Sequence, residues 1–334
     1  MTVDTTSTAG AVAGPRYATR HLIHCPTSWE HYLLDAPSSG EENFVLTGST
    51  PTGHPLFNDG PGLFHDAQAV AEEVREVGEF VGHRYFGVPR ERPGLFYRFA
   101  LSVTDLRAWR AGDAGYSVPP RMTTHLTARP DHVIGGVPRG LTFGVEVRVD
   151  DVACCTGTAG LVFLTPALHR NHIEHSRRAL RAAPELDDVP DGAGWPVDPA
   201  EIGRRAPGNV VVCEPSVSAH GRLTTWVLTR GDNPVFAPSA DGQVSGLLLL
   251  EALRQTSVLA AGRASGVDAD RAVVAGWDVH FRGYAQAGLP LRCVAVPGPL
   301  ERDSEGRPSV PVTLTVTQHR RAVAEARTSV VQDL

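Results

Sequence analysis

Apolar residues recur with two periods along this chain of 334 residues. From Asp66 to Val88 they fall at Val70, Ala71, Val74, Val77 and Val81, the spacing of one helix face. Asp66 suits the N-cap, and Gly87 followed by Pro89 suits the stop. A second helix is predicted from Ser245, as N-cap, to Gly262. Leu247, Leu248, Leu249 and Leu250 run together there, followed by Ala252, Leu253, Val258, Leu259, Ala260 and Ala261. A helix that is apolar nearly all round should be buried on most sides. Strand-like runs follow the first helix at Leu95–Val103, Leu141–Val149 and Gly160–Leu164. Others lie at Asn209–Cys213, Leu223–Thr229, Val273–Arg282, Leu291–Val296, Val310–Thr317 and Ala322–Gln332. From Pro166 to Pro199, His, Arg, Asp, Gly and Pro dominate, and one helix is predicted at about Ala167–Ala183.

The two long helices share a register. Glu72 and Glu251 lie 251 − 72 = 179 residues apart, and the same offset pairs Arg75 with Arg254, Arg84 with Arg263, Gly87 with Gly266 and Val88 with Val267. Each helix also precedes a series of strands. A tandem duplication explains both facts. A sheet curled around one buried helix is the hotdog arrangement, so the expected class is α+β, a tandem hotdog fold. The expected division is a disordered lead over 1–15, a first repeat over 16–165, a connector over 166–204 and a second repeat over 205–334.

Composition narrows the chemistry. Apolar residues make up 42% and charged residues 20%, a globular profile. The net charge of −6 provides no global basic field for nucleic acid or anionic lipid, and an acidic carrier protein would need a local Arg patch. All 31 basic residues are Arg, which excludes a Schiff-base or phosphate-loop lysine. The five Cys form no C-x-x-C pair, no apolar run approaches a membrane span, and the N-terminus lacks an apolar leader. A cytoplasmic protein is expected. His169, His172 and His175 repeat at helical spacing, but no Cys or acidic ligand accompanies them, so neither a metal nor a cofactor is expected. His280, Arg282 and Tyr284 alternate along a predicted strand and line a pocket if that face turns inward. Glu251 on an apolar helix needs a partner, and Arg254 lies three residues on. The pair serves either to hold the helix in register or as an acid/base Glu with an orienting Arg.

These stretches resemble the AfsA family, the A-factor-type synthases with two hotdog repeats. The family's second-repeat pattern, with Gly, Leu-Leu-Glu-Ala and Arg-Gln, resembles Gly242-Gln243-Val244-Ser245-Gly246 through Glu251, Arg254 and Gln255. Its first-repeat pattern resembles His65-Asp66, Glu72, Arg75 and Gly78, then His83, Gly87, Val88 and Pro89. His24 with Glu30-His31, and Ile202-Gly203-Arg204 with Asn209-Val210-Val211, resemble further motifs of the family. The resemblance implies joining a β-ketoacyl thioester, on acyl carrier protein or CoA, to a hydroxyl of a dihydroxyacetone-phosphate-type acceptor. It implies no nucleic-acid or membrane partner, and a pseudo-dimeric monomer or a homodimer. Glu72, His65, Glu251 and Arg254 are the implied catalytic candidates; Arg75, Asp66, Ser245, Gly246, Gln243 and His24 are the implied substrate contacts. This chain departs from the family where Gly242-Gln243 replaces Asp-His, where Cys25 replaces Lys and where Glu76 replaces Gln. With the second-repeat His gone, the first repeat is expected to supply the base. A hotdog dehydratase, thioesterase or cyclase, or an acyl-ligand binder without catalysis, is the other class these residues allow.

Overall fold

The computed structural model describes residues 17–19, 40–49, 54–111, 121–182, 194–229 and 233–333. The expected lead over 1–15 and the candidate His24 lie outside the described residues. The chain divides into two compact units. The first takes described residues up to 49 and 69–170; the second takes 54–68 and 171–333.

The first unit orders its strands β1-β2-β4-β5-β6-β3. These are β1 (Tyr17–Thr19), β2 (Glu42–Ser49), β3 (Gly94–Val103), β4 (Arg121–Ile134), β5 (Val137–Val149) and β6 (Val152–Phe163). All neighbours are antiparallel except β1 and β2. Alternation sets the inner face: Leu141, Phe143, Val145, Val147 and Val149 of β5 are all buried. Helix α1 (Ala67–Tyr85) lies close against this layer. An added Cβ at Gly82 would come within 2.2 Å of the Phe163 ring, so only glycine permits the approach.

Helix α2 (Pro166–Ala182) carries the chain into the second unit. There α3 (Gly246–Ser265) is capped by the Ser245 hydroxyl, which accepts the Leu248 N–H, and closed by left-handed Gly266. It packs against β9 (Ala272–Phe281), β10 (Arg292–Pro297), β12 (Pro308–Gln318) and β13 (Arg321–Gln332). The order is β9-β13-β12-β10-β8-β7, with β7 (Ser216–Val217), β8 (Leu223–Trp226) and β11 (Glu301–Arg302) short. Every pair in it is antiparallel. The leucine run is buried, as its all-round apolarity requires.

Each unit thus has the hotdog ingredients, a long helix on an antiparallel sheet. Two details differ from the pattern reading. Asn209–Cys213 is not a continuous strand: Pro207–Asn209 forms a 3-10 turn, the Val211 N–H donates to the Gln255 side chain, and only isolated antiparallel bridges form, Val212 with Val227 and Cys213 with Pro196. Strands β2 and β4 carry no clear apolar signal. β4 alternates Met122, Thr124, Leu126 and Ala128 inward, with threonine in one core slot, and holds Pro130, a residue that argues against a strand.

Gly82→Ala is expected to destabilise the protein by about 1–3 kcal/mol through overpacking against Phe163. Urea denaturation checks it, and adding Phe163→Leu should restore part of the loss.

Candidate functional site

The Glu251 carboxylate is fully buried one turn into α3. Two guanidiniums and two amides surround it. Arg204 grips it bidentately, Nε to Oε1 at 2.8 Å and Nη2 to Oε2 at 2.7 Å. Arg254 donates from Nε and Nη2, with Nη2 at 2.9 Å from Oε1. Gln255 Nε2 donates to Oε1 at 2.6 Å, and Gln68 Nε2 donates to Oε2. Arg204 also donates to Asp66 Oδ2 at 3.0 Å and to the Leu56 carbonyl at 2.9 Å. Asp66 Oδ1 accepts the Gln68 N–H at 3.0 Å and so caps α1. Arg204 therefore ties the segment leading to α1 onto α3, and two cations balance two carboxylates.

Burial by itself would raise the Glu251 pKa, but Arg204 and Arg254 outweigh it and hold the carboxyl well below the usual carboxylate range. Burial opposes the charge on Arg204 too, yet Glu251 and Asp66 raise its pKa. With both oxygens already taken by several donors, Glu251 is an anchor for guanidiniums. Arg254 spends Nε and Nη2 on Glu251 and the Ile202 carbonyl, while Nη1 donates no hydrogen bond among the described residues.

The approach to α3 is built from amides. Gly242 adopts φ +73°, and a Cβ there would meet Gln286 Nε2 at 2.7 Å. Gln286 Nε2 donates to the Gly242 carbonyl at 2.8 Å, and Gln243 Nε2 donates to Gln286 Oε1 at 3.2 Å. Gln318 Oε1 accepts the Gln286 N–H at 2.8 Å. This network has no group that titrates near neutral pH. Beyond Ser245, the Gly246 and Leu247 N–H groups head α3 as first-turn donors without intrahelical acceptors.

In the first unit, Glu72 Oε2 accepts both Arg75 Nε at 3.0 Å and Nη2 at 2.9 Å. Its Oε1 accepts no hydrogen bond among the described residues, unlike the saturated Glu251. Glu76 stands at the position matching Gln255 in the 179-residue register. Its Oε1 lies 3.3 Å from Arg75 Nη2, and its buried Oε2 has no hydrogen-bond partner among the described residues. Burial pushes the Glu76 pKa up to about 7; Arg75 opposes the rise, and Glu72, Glu79 and Glu73 add to it.

The structure thus groups Glu251, Arg254 and Asp66 in one network of the second unit. His65 adjoins it in sequence, Ser245 and Gly246 head the same helix, and Gln243 lies in the amide network. Glu72 and Arg75 form the first unit's pair. Arg204, Gln68, Gln255 and Glu76 were not singled out as site residues from the sequence. Gln255 and Glu76 entered the sequence reading only through the family motif, as its Arg-Gln and as a departure from it, and nothing local pointed at Gln68. Past the end of β9, Arg282 pairs with Glu325 at 2.8 Å, both about half exposed. Among the described residues, no three His, Cys, Asp or Glu gather to hold a metal ion, and no helix is long and apolar enough to cross a membrane.

Comparison with known proteins adds to this geometry. The profile of the A-factor biosynthesis hotdog domain matches residues 187–331. The chain is 28% identical over 284 residues to a 2-oxo-3-(phosphooxy)propyl 3-oxoalkanoate synthase of Streptomyces griseus, covering 84% of each chain. A synthase of the same name from Streptomyces coelicolor is 28% identical over 281 residues, 83% of this chain and 82% of that protein. Among solved structures, the 12:0-ACP thioesterase from Umbellularia californica aligns over 87% of this chain and 94% of its own, at 11% identity and TM-score 0.48.

Arg204→Met, which leaves Glu251 buried with one guanidinium fewer, is expected to cost about 3–5 kcal/mol in chemical denaturation. The double variant with Glu251→Leu should be more stable than the single one. Glu76 predicts a pH effect of definite sign. Its folded pKa lies above its unfolded one, so its contribution to stability is full below about 4.5 and is lost as pH rises through about 7. Glu76→Gln should therefore stabilise the protein above pH 7, by on the order of 2 kcal/mol, and flatten the pH profile between those values.

Proposed function

We propose that the chain, whose residues 187–331 match the A-factor biosynthesis hotdog domain, is an acyltransferase-type synthase of the AfsA kind. It joins a 3-oxoacyl group, carried as a thioester, to the hydroxyl of a dihydroxyacetone-phosphate-type acceptor. The similarity to synthases of that reaction across 84% of both chains carries this reading.

The chemistry asks for three things, and the residues offer a candidate for each. The acceptor hydroxyl oxygen attacks the thioester carbonyl carbon, the carbon–sulfur bond breaks, and the thiol leaves with the proton lost by the hydroxyl. Negative charge develops on the carbonyl oxygen, and the N–H groups of Gly246 and Leu247 at the head of α3 are the donors we assign to it. The acceptor phosphate calls for a guanidinium. Arg254, held by Glu251 but with Nη1 unspent, suits it, and Arg75 is its counterpart in the first repeat. A base is then required, and it must still have proton capacity. The saturated Glu251 and the amide Gln243 lack it, so we assign the base to Glu72 of the first unit or to His65, which precedes α1 and lies in the second unit.

Incubation of the protein with a 3-oxoacyl thioester and dihydroxyacetone phosphate, followed by mass spectrometry, should yield the phosphorylated 3-oxoacyl ester. Free 3-oxo acid alone would make it a thioesterase instead. His65→Ala and Glu72→Gln should each lower ester formation by about 10²–10⁴-fold with the fold intact. Full activity in both variants would remove the base from the first repeat.

A further inference from the structure

The chain is acidic, yet α2 is not. Within Pro166–Ala182 it carries Arg170, Arg177, Arg178 and Arg181 with three His, against the single acid Glu174. At 100° per residue, Arg170, Arg178 and Arg181 fall within one sector of about 80°, which Glu174 shares. These three arginines are exposed, while Ile173 and Ser176 of the same helix are buried. None of the three makes an ion pair among the described residues. Some other surface arginines do, such as Arg121 with Asp151 and Arg129 with Glu41. Three guanidiniums without an ion pair among the described residues, against the single acid Glu174, make a net positive strip about 16 Å long. That is too long for a single phosphate group and suits a macromolecular surface.

The helix is also fixed beside the approach to α3. Ser176 Oγ accepts Arg321 Nη1 at 3.0 Å, and Arg177 Nη2 donates to the Asp241 carbonyl at 2.7 Å. Asp241 lies four residues before the Ser245 cap. The positive strip therefore flanks the loop leading to the amides assigned to the thioester.

We propose that Arg170, Arg178 and Arg181 of α2 dock an acidic acyl carrier protein that presents its thioester at the head of α3. This rests on the thioester reading above. A net charge of −6 repels an acidic partner at long range, so recognition has to come from a local cationic patch, and α2 supplies one.

The test compares the intact protein with the triple variant R170E/R178E/R181E. With a 3-oxoacyl carrier protein as donor, the variant should lose at least about tenfold in kcat/KM, through KM. With the 3-oxoacyl N-acetylcysteamine thioester it should match the unaltered protein. Added salt should weaken use of the carrier by the unaltered protein and not by the variant. Fluorescence anisotropy with a labelled carrier, which needs no turnover, should show weaker binding by the variant. If no thioester reacts with the unaltered protein but this binding difference persists, the reaction reading fails and the docking face stands. Unchanged carrier use and binding, an equal loss with both donors, or a loss confined to CoA thioesters overturns the proposal. Binding of duplex DNA that the variant loses, without carrier binding, also overturns it.

Discussion

A carboxylate with no access to water has to be neutralised by its neighbours, and the second unit is organised around that requirement. Glu251 sits among leucines, where an unpaired charge would cost several kcal/mol or more. Arg254 comes from the same helix and could not meet the demand alone. Arg204 arrives from the turn before β7, spans Glu251 and Asp66, and reaches the Leu56 carbonyl. Asn209 adds bonds from its amide to Pro55 and Asp59 at 2.7 Å. These contacts explain why residues 54–68, which precede α1 in the chain, belong to the second unit.

The two Glu-Arg pairs are alike in sequence and unlike in chemistry. In the second unit, Gln255 donates to Glu251, and its own oxygen accepts the Val211 N–H, so both Glu251 oxygens and the Gln255 amide are engaged. In the first unit the matching position is Glu76, which has no proton to donate unless it is neutral. Carboxylates then crowd around a single Arg75, and one of them binds a proton near neutrality. One pair is locked in its charged form, and the other keeps a titratable group. Gly242-Gln243 follows the same division, since the network before α3 is built from amides and holds no titratable group.

Much of this was legible in the chain before any coordinates. The positions of the long helices, their caps at Asp66 and Ser245, and most strands of the second unit follow from periodicity and capping chemistry, which act over a few residues. The register between the helices pointed to Glu72, Arg75, Glu251 and Arg254. Strand β4 was not legible, because its inner positions include Thr124 and it holds Pro130. Asn209–Cys213 reads as a strand by composition, yet it makes only isolated bridges, and the Val211 N–H goes to Gln255, 44 residues on. Arg204 was visible only as part of a motif; its grip on Glu251 spans 47 residues and its bond to Asp66 spans 138. Local pattern therefore determined which residues are helical and which carry charge. Only the tertiary structure decided which charges meet, because that pairing is set by the need to neutralise a buried carboxylate with groups distant in sequence.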